Sequence, residues 1–426
     1  MTVTPVVSLQ GELRPPSDKS LTHRSYMFAA LADSPSVVRM PLRGEDCEST
    51  LRCMNQLGLR HEWIGSEEVR LMPTNEWQQP KTHLDCGNSG TTIRLLSGLL
   101  ASRPLDCTLI GDESLSRRPM NRIARPLREM GATVEGETPP LRIRGAALHG
   151  IRYDSPVPSA QVKSCVLLAG LGAEGVTTVQ EPTKSRDHTE RMLTAMGVSF
   201  SYPLVDEGYS VSVEGGQRPS GFEFTVPADI SSAAFFLVAA AVLPEGRLKV
   251  RDLLMNPTRT GILDALRQCG VPVSMSEDRS ELGEPVADLS IQAPGFLKPF
   301  RIDGDMVPRL IDEIPVLAVL ATQCNGVTEI RGAKELRVKE SDRIETMAAG
   351  LRAMGASVET YEDGLSISGP TPLTGALVEA KGDHRIAMSF AIAGLFARGE
   401  TVIEGAEAIA TSYPSFEADL QRLSLV

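Results

Sequence analysis

A pattern of roughly 70 residues occurs six times along this chain and limits its possible folds more than any other feature. Each copy has a helix of small apolar residues behind a polar start, a glycine-containing turn, a β-branched stretch and a second helix. The starts are anchored at Ser20, Asn88, Ser159, Asp229, Asp312 and Asp383, at intervals of 68, 71, 70, 83 and 71 residues. This period is too long for a solenoid unit, and it predicts a multiplied α/β subunit.

The six copies separate into two sets of three. The change between the sets falls in residues 214–229, where glycine and proline flank a short alternating stretch. We expect residues 2–10 to form a strand with the second set, which requires another crossing just before the first copy. The predicted domains are therefore a first globule of residues 1–13 with 227–426 and a second globule of residues 14–226.

Some first helices, such as 233–242 and 386–397, are apolar on nearly every side, which is typical of helices buried on all faces. The simplest packing has three such helices in each globule, with sheets and amphipathic helices around them. Small-molecule sites often lie between domains. We therefore expect an active site in the cleft between the two globules.

Composition excludes several classes of function. The chain of 426 residues has a net charge of −11, which argues against binding to nucleic acids or anionic membranes. No basic region followed by an apolar run opens the sequence, and no apolar stretch reaches the length of a membrane span. The seven scattered cysteines are typical of reduced thiols. We expect a cytoplasmic protein.

Two motifs at helix starts can bind anions or can simply cap helices. In SDKSLTHR (17–24), Ser17 or Ser20 can cap, Lys19 lies at the helix start, and Arg24 shares a face with Ser20. In GNSGTTIR (87–94), Asn88 or Ser89 can cap, Gly90 allows close approach of a ligand, and Arg94 lies on the first turn. Arg118 precedes a proline, which favours an extended backbone.

Charges also gather in the second set. RVKESDR (337–343) suits either an exposed salt-bridged helix or a site. GDHR (382–385) and Asp312–Glu313 put charges at the start of apolar helices, where they need partners, and we favour a functional reading. The cations at equivalent turns are Lys19, Arg24, Arg94, Arg118, Lys339, Arg343 and Arg385, and the carboxylates among them are Asp312 and Glu340. This mixture predicts binding of multiply charged anions together with proton transfer.

Motifs for common cofactors are missing from the sequence. GLGAEG (170–175) fits a dinucleotide pattern, but it follows a helix and precedes a strand, the reverse of the required order. There is no GxxxxGK[ST], HExxH or CxxC. His23, His188 and His384 lack companion ligands at recognisable spacing. We expect no metal and no cofactor.

The ordered set of motifs resembles the enolpyruvyl transferases over essentially the whole chain. The matching strings are DKSLTHR, GNSGTTIR, RPM, SAQVKS, SRDHTERM, NPTRTG, RVKESDR and GDHR. The resemblance implies an inside-out α/β barrel of two globules, each with three βαβαββ units. It also implies transfer of the enolpyruvyl group of phosphoenolpyruvate to the 5-hydroxyl of shikimate 3-phosphate, with release of phosphate, towards chorismate and aromatic amino acids. The reaction passes through a tetrahedral adduct and needs no cofactor, and a monomer is expected.

The resemblance further implies roles for individual residues. The catalytic residues would be Asp312, Glu340 and Lys19, and which carboxylate performs each proton transfer stays open. Shikimate 3-phosphate would be bound by Lys19, Ser20, Arg24, Ser159, Ala160, Gln161, Ser185, Asp312 and Lys339. Phosphoenolpyruvate would be bound by Lys19, Asn88, Gly90, Arg94, Arg118, Gln161, Arg343 and Arg385.

Two departures from the family pattern affect the expected chemistry. Thr411 stands where many members have a lysine that helps to bind phosphoenolpyruvate. The common Asn-Ala-Gly-Thr-Ala is Asn-Ser-Gly-Thr-Thr at 88–92, as in a subgroup that tolerates glyphosate, so we expect reduced inhibition by glyphosate.

Two rival functions follow from the same fold. The relative that uses UDP-N-acetylglucosamine as acceptor has Asn after the first-motif lysine and usually a reactive cysteine in a later loop. Here Ser20 follows Lys19, and residues 111–120 contain no cysteine, which favours the shikimate acceptor. A non-catalytic anion-binding scaffold is disfavoured because both Asp312 and Glu340 are retained.

Overall fold

The computed structural model describes residues 1–74 and 76–424, and its chain divides into two compact units. The terminal unit comprises Met1–Pro16, Pro227–Arg279 and the chain from Pro285 onward, and the inserted unit comprises Ser17–Val226 and Ser280–Glu284. The chain passes from one unit to the other between Pro16 and Ser17, and the Asp229 N–H donates to the Pro16 carbonyl at 2.9 Å. Residues 280–284 join the inserted unit, where Glu284 meets His188 at 2.8 Å.

The inserted unit contains three four-stranded sheets with one shared strand order. In the order given below, the second strand of each sheet is parallel to the first and antiparallel to the third, which also pairs with the fourth. The sheets are Glu223–Thr225, Ser36–Arg39, Glu68–Met72 and Arg60–Ile64; Leu84–Asp85, Asp106–Ile110, Leu141–Arg144 and Thr133–Glu135; and Arg152–Asp154, Val176–Glu181, Tyr209–Glu214 and Phe200–Ser201. A smaller parallel pair joins Leu148–His149 to Ala173–Glu174.

The terminal unit repeats this plan with its own three sheets. They are Ser8–Leu13, Glu245–Leu254, Glu284–Gln292 and Val273–Met275, with Arg279–Glu281 beside the third; Arg301–Ile302, Gly326–Ile330, Gly364–Gly369 and Ser357–Tyr361; and Leu377–Glu379, Thr401–Glu404 and Thr2–Val3. The N-terminal segment therefore pairs within this unit, as expected from the sequence.

Each unit completes a sheet with a strand that is remote in sequence. In the inserted unit, Glu223–Thr225 lies parallel to Ser36–Arg39. In the terminal unit, Thr2–Val3 lies antiparallel to Thr401–Glu404. Long-range strand pairing therefore closes both units.

Two kinds of helix accompany the sheets. The inner helices are Lys19–Leu31, Gly90–Ala101 and Ala160–Leu171 in the inserted unit and Ile230–Val242, Ile314–Ala321 and His384–Gly394 in the terminal unit. The second helices are Glu45–Gln56, Asn121–Glu129, His188–Ala195, Gly261–Gln268, Arg343–Ala353 and Phe416–Ser424. A further short helix is Val307–Leu310, and 3₁₀ turns span Leu115–Arg117, Gly304–Met306, Lys334–Val338 and Ala406–Thr411. The side chains of Ile314–Ala321 and His384–Gly394 are all buried, as the apolar pattern predicts.

The residues before the inner helices correct three of the sequence anchors. Asp18 caps the first helix through the Leu21 N–H, so neither Ser17 nor Ser20 does, and Ser89 rather than Asn88 caps the second. The residues before the six helices are Asp18, Ser89, Ser159, Asp229, Glu313 and Asp383, at intervals of 71, 70, 70, 84 and 70. The true repeat is therefore more regular than the anchors suggested.

Two glycines allow helices to approach closely. A Cβ on Gly98 would lie 2.2 Å from the Cys165 carbonyl oxygen of the neighbouring helix, and a Cβ on Gly350 would lie 2.1 Å from the Phe390 ring. Neither position can take a larger residue without movement of its neighbour. These contacts set the spacing of the helices whose ends carry the charged residues described next.

Two general properties bear on the sequence expectations. Within residues 1–74 and 76–424, no helix combines the length and the apolar character that crossing a membrane requires. All seven cysteines are buried and unbridged.

Candidate functional site

The first inner helix of the inserted unit presents Lys19 and Ser20 at its start and Arg24 one turn later. The Lys19 ammonium lies 3.0 Å from a carboxylate oxygen of Asp46, and both side chains are partly accessible. Asp46 could not be singled out from the sequence, because it is one of three acidic residues in the first turn of another helix. Lys19 is thus held beside a counter-ion at an accessible helix start.

Arg24 is buried and held by hydroxyl and carbonyl groups. Its Nε donates to Thr189 at 2.9 Å, Nη1 donates to the Ser20 carbonyl at 3.0 Å, and Nη2 donates to Ser164 at 2.9 Å. Burial lowers the pKa of Arg24 to about 10, although nearby carboxylates such as Glu190 oppose the shift. The guanidinium remains charged at neutral pH, and further N–H donors remain for an anion.

A second group surrounds the start of helix Gly90–Ala101. Arg118 donates to the Asn88 side-chain oxygen at 2.8 Å, and its backbone is extended, as the following proline predicts. The Gly90 position lies against both guanidiniums, since a Cβ there would be 2.6 Å from Arg94 Nη1 and 3.4 Å from Arg118 Nη1. Two cations and a helix N-terminus thus meet beside Gly90, which suits a phosphate or carboxylate.

Gln161 links this group to the third inner helix. Its side-chain oxygen accepts from Arg94 Nη1 at 2.8 Å, and its nitrogen donates to Thr91 at 3.0 Å. Two residues earlier, Ser159 caps the helix that begins at Ala160. Because Ser164 on the same helix binds Arg24, one helix connects both groups of cations.

The departure from the family pattern at 88–92 is part of a buried hydrogen-bonded chain. The Thr92 hydroxyl donates to Ser89 at 2.7 Å and lies 2.6 Å from the Thr50 hydroxyl, which lies 2.6 Å from His23 Nδ1. Burial lowers the pKa of His23 to about 3. His23 is therefore neutral at physiological pH and takes part as a structural group.

In the terminal unit, three carboxylates meet the buried guanidinium of Arg343. Asp383 accepts from Nε at 2.8 Å, Glu340 accepts from Nη2 at 2.7 Å, and Asp312 lies 3.4 Å from Nη1. Burial alone would lower the pKa of Arg343, but Asp383, Glu340 and Asp312 raise it. Lys339 lies 3.6 Å from Asp312, so this carboxylate faces two cations.

Asp383 also organises the helix that follows it. Its carboxylate accepts the backbone N–H of Arg385 at 3.0 Å and the Ser341 hydroxyl at 3.1 Å. Burial would raise the pKa of Asp383, but Arg343 keeps that pKa below its usual value. The Arg385 side chain reaches the Asp312 backbone carbonyl at 3.4 Å. Asp383 therefore holds two of the expected cations in one place.

The structure decides between the alternatives left open for RVKESDR. Residues 334–338 form a 3₁₀ turn, Asp342 caps the next helix, and Arg343 is its first residue and is buried. The prediction of an exposed, salt-bridged helix is therefore wrong for residues 337–343. Thr411 donates its hydroxyl to the Ala408 carbonyl at 2.7 Å and contributes no charge.

Within each unit, the expected residues form one connected group. The inserted unit brings together Lys19, Ser20, Arg24, Asn88, Gly90, Arg94, Arg118, Ser159, Ala160, Gln161 and Ser185, and the terminal unit brings together Asp312, Lys339, Glu340, Arg343 and Arg385. The sequence analysis did not identify Lys163 or Glu181. Lys163 could have been found, because it is a charged residue on a mostly apolar helix, and a charge at the start of an apolar helix was the feature that drew attention to GDHR. Over residues 1–74 and 76–424, no three His, Cys, Asp or Glu side chains are placed to hold a metal ion.

Comparison with known proteins shows which proteins this chain is similar to. The family model of EPSP synthase (3-phosphoshikimate 1-carboxyvinyltransferase) matches residues 3–420. The 3-phosphoshikimate 1-carboxyvinyltransferase of Bacillus licheniformis is 49% identical over 425 residues, and that of Brevibacillus brevis is 49% identical over 423; each match covers 98% of both chains. A solved EPSP synthase from Acinetobacter baumannii superposes with a TM-score of 0.87 at 43% identity, covering 99% of this chain and 97% of the other. The expected α/β fold class is confirmed.

Proposed function

Because this chain belongs to the EPSP synthase family, we propose that the two groups of residues described above bind the family's two substrates and move its protons. The chain catalyses transfer of the enolpyruvyl group of phosphoenolpyruvate to the 5-hydroxyl of shikimate 3-phosphate, with release of phosphate, in aromatic amino-acid biosynthesis. Both substrates carry a phosphate and a carboxylate, so many cationic donors are needed.

We assign shikimate 3-phosphate to the residues around the first and third inner helices of the inserted unit, together with Asp312 and Lys339 of the terminal unit. Arg24 supports this assignment because three of its N–H groups are occupied by the protein, which fixes the direction of those that remain. The full set is Lys19, Ser20, Arg24, Ser159, Ala160, Gln161, Ser185, Asp312 and Lys339.

Phosphoenolpyruvate is assigned to the cations beside Gly90 and to those held by Asp383. The close approach of Arg94 and Arg118 to Gly90 supports an anion at that helix start. Arg343 and Arg385 would supply charge from the terminal unit. The full set is Lys19, Asn88, Gly90, Arg94, Arg118, Gln161, Arg343 and Arg385.

The chemistry requires two proton transfers. One group takes the proton of the 5-hydroxyl as its oxygen bonds to C2 of the enolpyruvyl group, and another gives a proton to the methylene carbon, which produces a tetrahedral adduct. Loss of phosphate and of a methyl proton restores the double bond. We propose Asp312 as the base at the hydroxyl and Glu340, with Lys19, at the methylene. The observation that carries this proposal is the contact of both carboxylates with Arg343.

A direct assay tests the function. Phosphate release from phosphoenolpyruvate is measured with shikimate 3-phosphate or with UDP-N-acetylglucosamine as acceptor. We expect release with the first acceptor alone. Release with the second would favour the rival transferase, and release with neither would favour a non-catalytic scaffold.

Weak inhibition by glyphosate is a further proposal. Ser89 and Thr92, which replace alanines of the common motif, hydrogen-bond to each other at the start of helix Gly90–Ala101. We expect an inhibition constant at least about tenfold above that of enzymes with Asn-Ala-Gly-Thr-Ala, a difference of about 1.4 kcal/mol in binding. The double variant S89A/T92A serves as the matched comparison. An inhibition constant equal to that of sensitive enzymes would contradict the proposal.

We also propose a cytoplasmic monomer. The buried, unbridged state of all seven cysteines supports a reducing compartment. Light scattering at several protein concentrations tests the monomer, and a mass twice that of the chain would exclude it.

A further inference from the structure

Three charged side chains of the inserted unit are buried outside the residues assigned above. Lys163 lies with its ammonium 3.2 Å from Glu181 and 2.9 Å from Glu190, and all three side chains are at most 1% exposed. The ammonium also donates to the Ser185 carbonyl at 3.2 Å. Burial would lower the pKa of Lys163, but Glu190 and Glu181 raise it, so the lysine is charged.

A cluster of buried ions contributes little to the stability of a protein core. Removing three charges from water costs several kcal/mol per ion, and apolar packing of the same volume is often as stable or more stable. Stability therefore gives little reason for the cluster, and its contacts suggest another role.

Glu181 holds two serines that are assigned to shikimate 3-phosphate. One of its oxygens accepts the Ser159 backbone N–H at 2.8 Å. The other accepts the Ser185 hydroxyl at 2.7 Å and the Ser185 N–H at 3.3 Å. Lys163 in turn holds both Glu181 and the Ser185 carbonyl, so the positions of the two serines depend on it.

The opposite side of the cluster leads to Arg24. Glu190 follows Thr189, and Ser164 follows Lys163; the two hydroxyls lie 2.7 Å apart, and both bind the Arg24 guanidinium. The Lys163–Glu190 ion pair therefore holds helices Ala160–Leu171 and His188–Ala195 together next to the two hydroxyls that bind Arg24.

The charge of Lys163 also affects how the Ser185 hydroxyl is used. A hydroxyl has one proton, which can be donated either to Glu181 or to a bound anion. A carboxylate that is already paired with an ammonium attracts this proton less strongly. Without Lys163, two unpaired carboxylates would retain the proton and repel an anionic substrate.

We propose that Lys163 is a positioning residue for the acceptor substrate: its ammonium pairs with Glu181 and Glu190 so that Ser159, Ser185 and Arg24 are arranged to bind shikimate 3-phosphate. This inference rests on the proposed function. It assigns a specificity role to a buried lysine that does not itself touch the substrate.

Steady-state kinetics of K163M with both substrates test this role. We expect the KM for shikimate 3-phosphate to rise about 10- to 100-fold, the usual range for a buried group left without its charged partner, while kcat and the KM for phosphoenolpyruvate change less than about threefold. The double variant K163M/E190Q removes one unpaired carboxylate and should recover a large part of the loss. K249M, on a partly exposed lysine of the terminal unit, is the matched control.

The outcomes separate this inference from the proposed function. R24Q should raise the KM for shikimate 3-phosphate if the site assignment is right, and no effect there would count against that assignment. A normal R24Q effect with an unchanged K163M overturns the role of Lys163, as does an equal rise in both KM values or a fall in kcat alone. If K163M does not fold, E181Q tests the same contacts, with a selective rise in the KM for shikimate 3-phosphate expected and an unchanged KM contradicting the inference.

Discussion

Replacement of Asp312 or Glu340 with Ala is expected to lower kcat by about two to four orders of magnitude, the range typical of general acid and base groups. Asp312 lies 3.6 Å from Lys339 and 3.4 Å from Arg343, so its carboxylate faces two cations. Glu340 lies 2.7 Å from Arg343 and is more exposed, which leaves it room to exchange protons. Initial rates of phosphate release at saturating substrate measure the effect.

The amide variants D312N and E340Q separate charge from shape. They keep the size of the side chain and remove its ability to ionise, so we expect losses similar to those of the alanine variants. E379Q, at an exposed carboxylate of the same unit, is the control. Turnover near that of the control in either active-site variant would refute the assigned role.

Replacement of Arg343 with Met is expected to destabilise the protein by about 3–5 kcal/mol, the cost of leaving a buried carboxylate without its partner. The Arg343 side chain is 1% exposed and that of Asp383 is 0% exposed, so water cannot take over the lost contacts. Equilibrium unfolding in urea, followed by circular dichroism, measures the loss as a lower midpoint at an unchanged slope.

Two further variants test whether the effect of R343M comes from the loss of its ion pairs. The double variant R343M/D383N removes both charges and should be more stable than R343M. R352M changes an exposed arginine on the same helix, and we expect its effect to stay within about 0.5 kcal/mol. A loss below about 1 kcal/mol in R343M would show that the carboxylates are solvated, contrary to their burial.

The repeat could be predicted from sequence because polar starts and apolar helices recur in every copy. The capping residues could not be assigned with the same accuracy, since Ser17, Asp18 and Ser20 are all suitable and lie within four positions. Only the observed contact between Asp18 and Leu21 distinguishes them. The resulting intervals show a more regular repeat than the sequence anchors do.

The candidate site also has a part that could be predicted from the sequence and a part that could not. The residues expected from the motifs are brought together within each unit, because they lie at the starts of helices that pack against one another. The burial of Arg343 could not be inferred, since Asp312 and Asp383, which contact its guanidinium, lie at least 31 residues away in the sequence. The ion pairs of Lys163 were missed because Glu181 and Glu190 both lie at least 18 residues after it and no local spacing links them.

The closure of each unit by a remote strand bears on biosynthesis. Thr2–Val3 is synthesised long before its partner strand Thr401–Glu404, with a delay of about 20–80 s at ordinary rates of translation. Most of the inserted unit can fold in that interval, because its closing strand ends at Thr225. The early strand must meanwhile avoid pairing with other nascent chains, and its length of two residues keeps that hazard small.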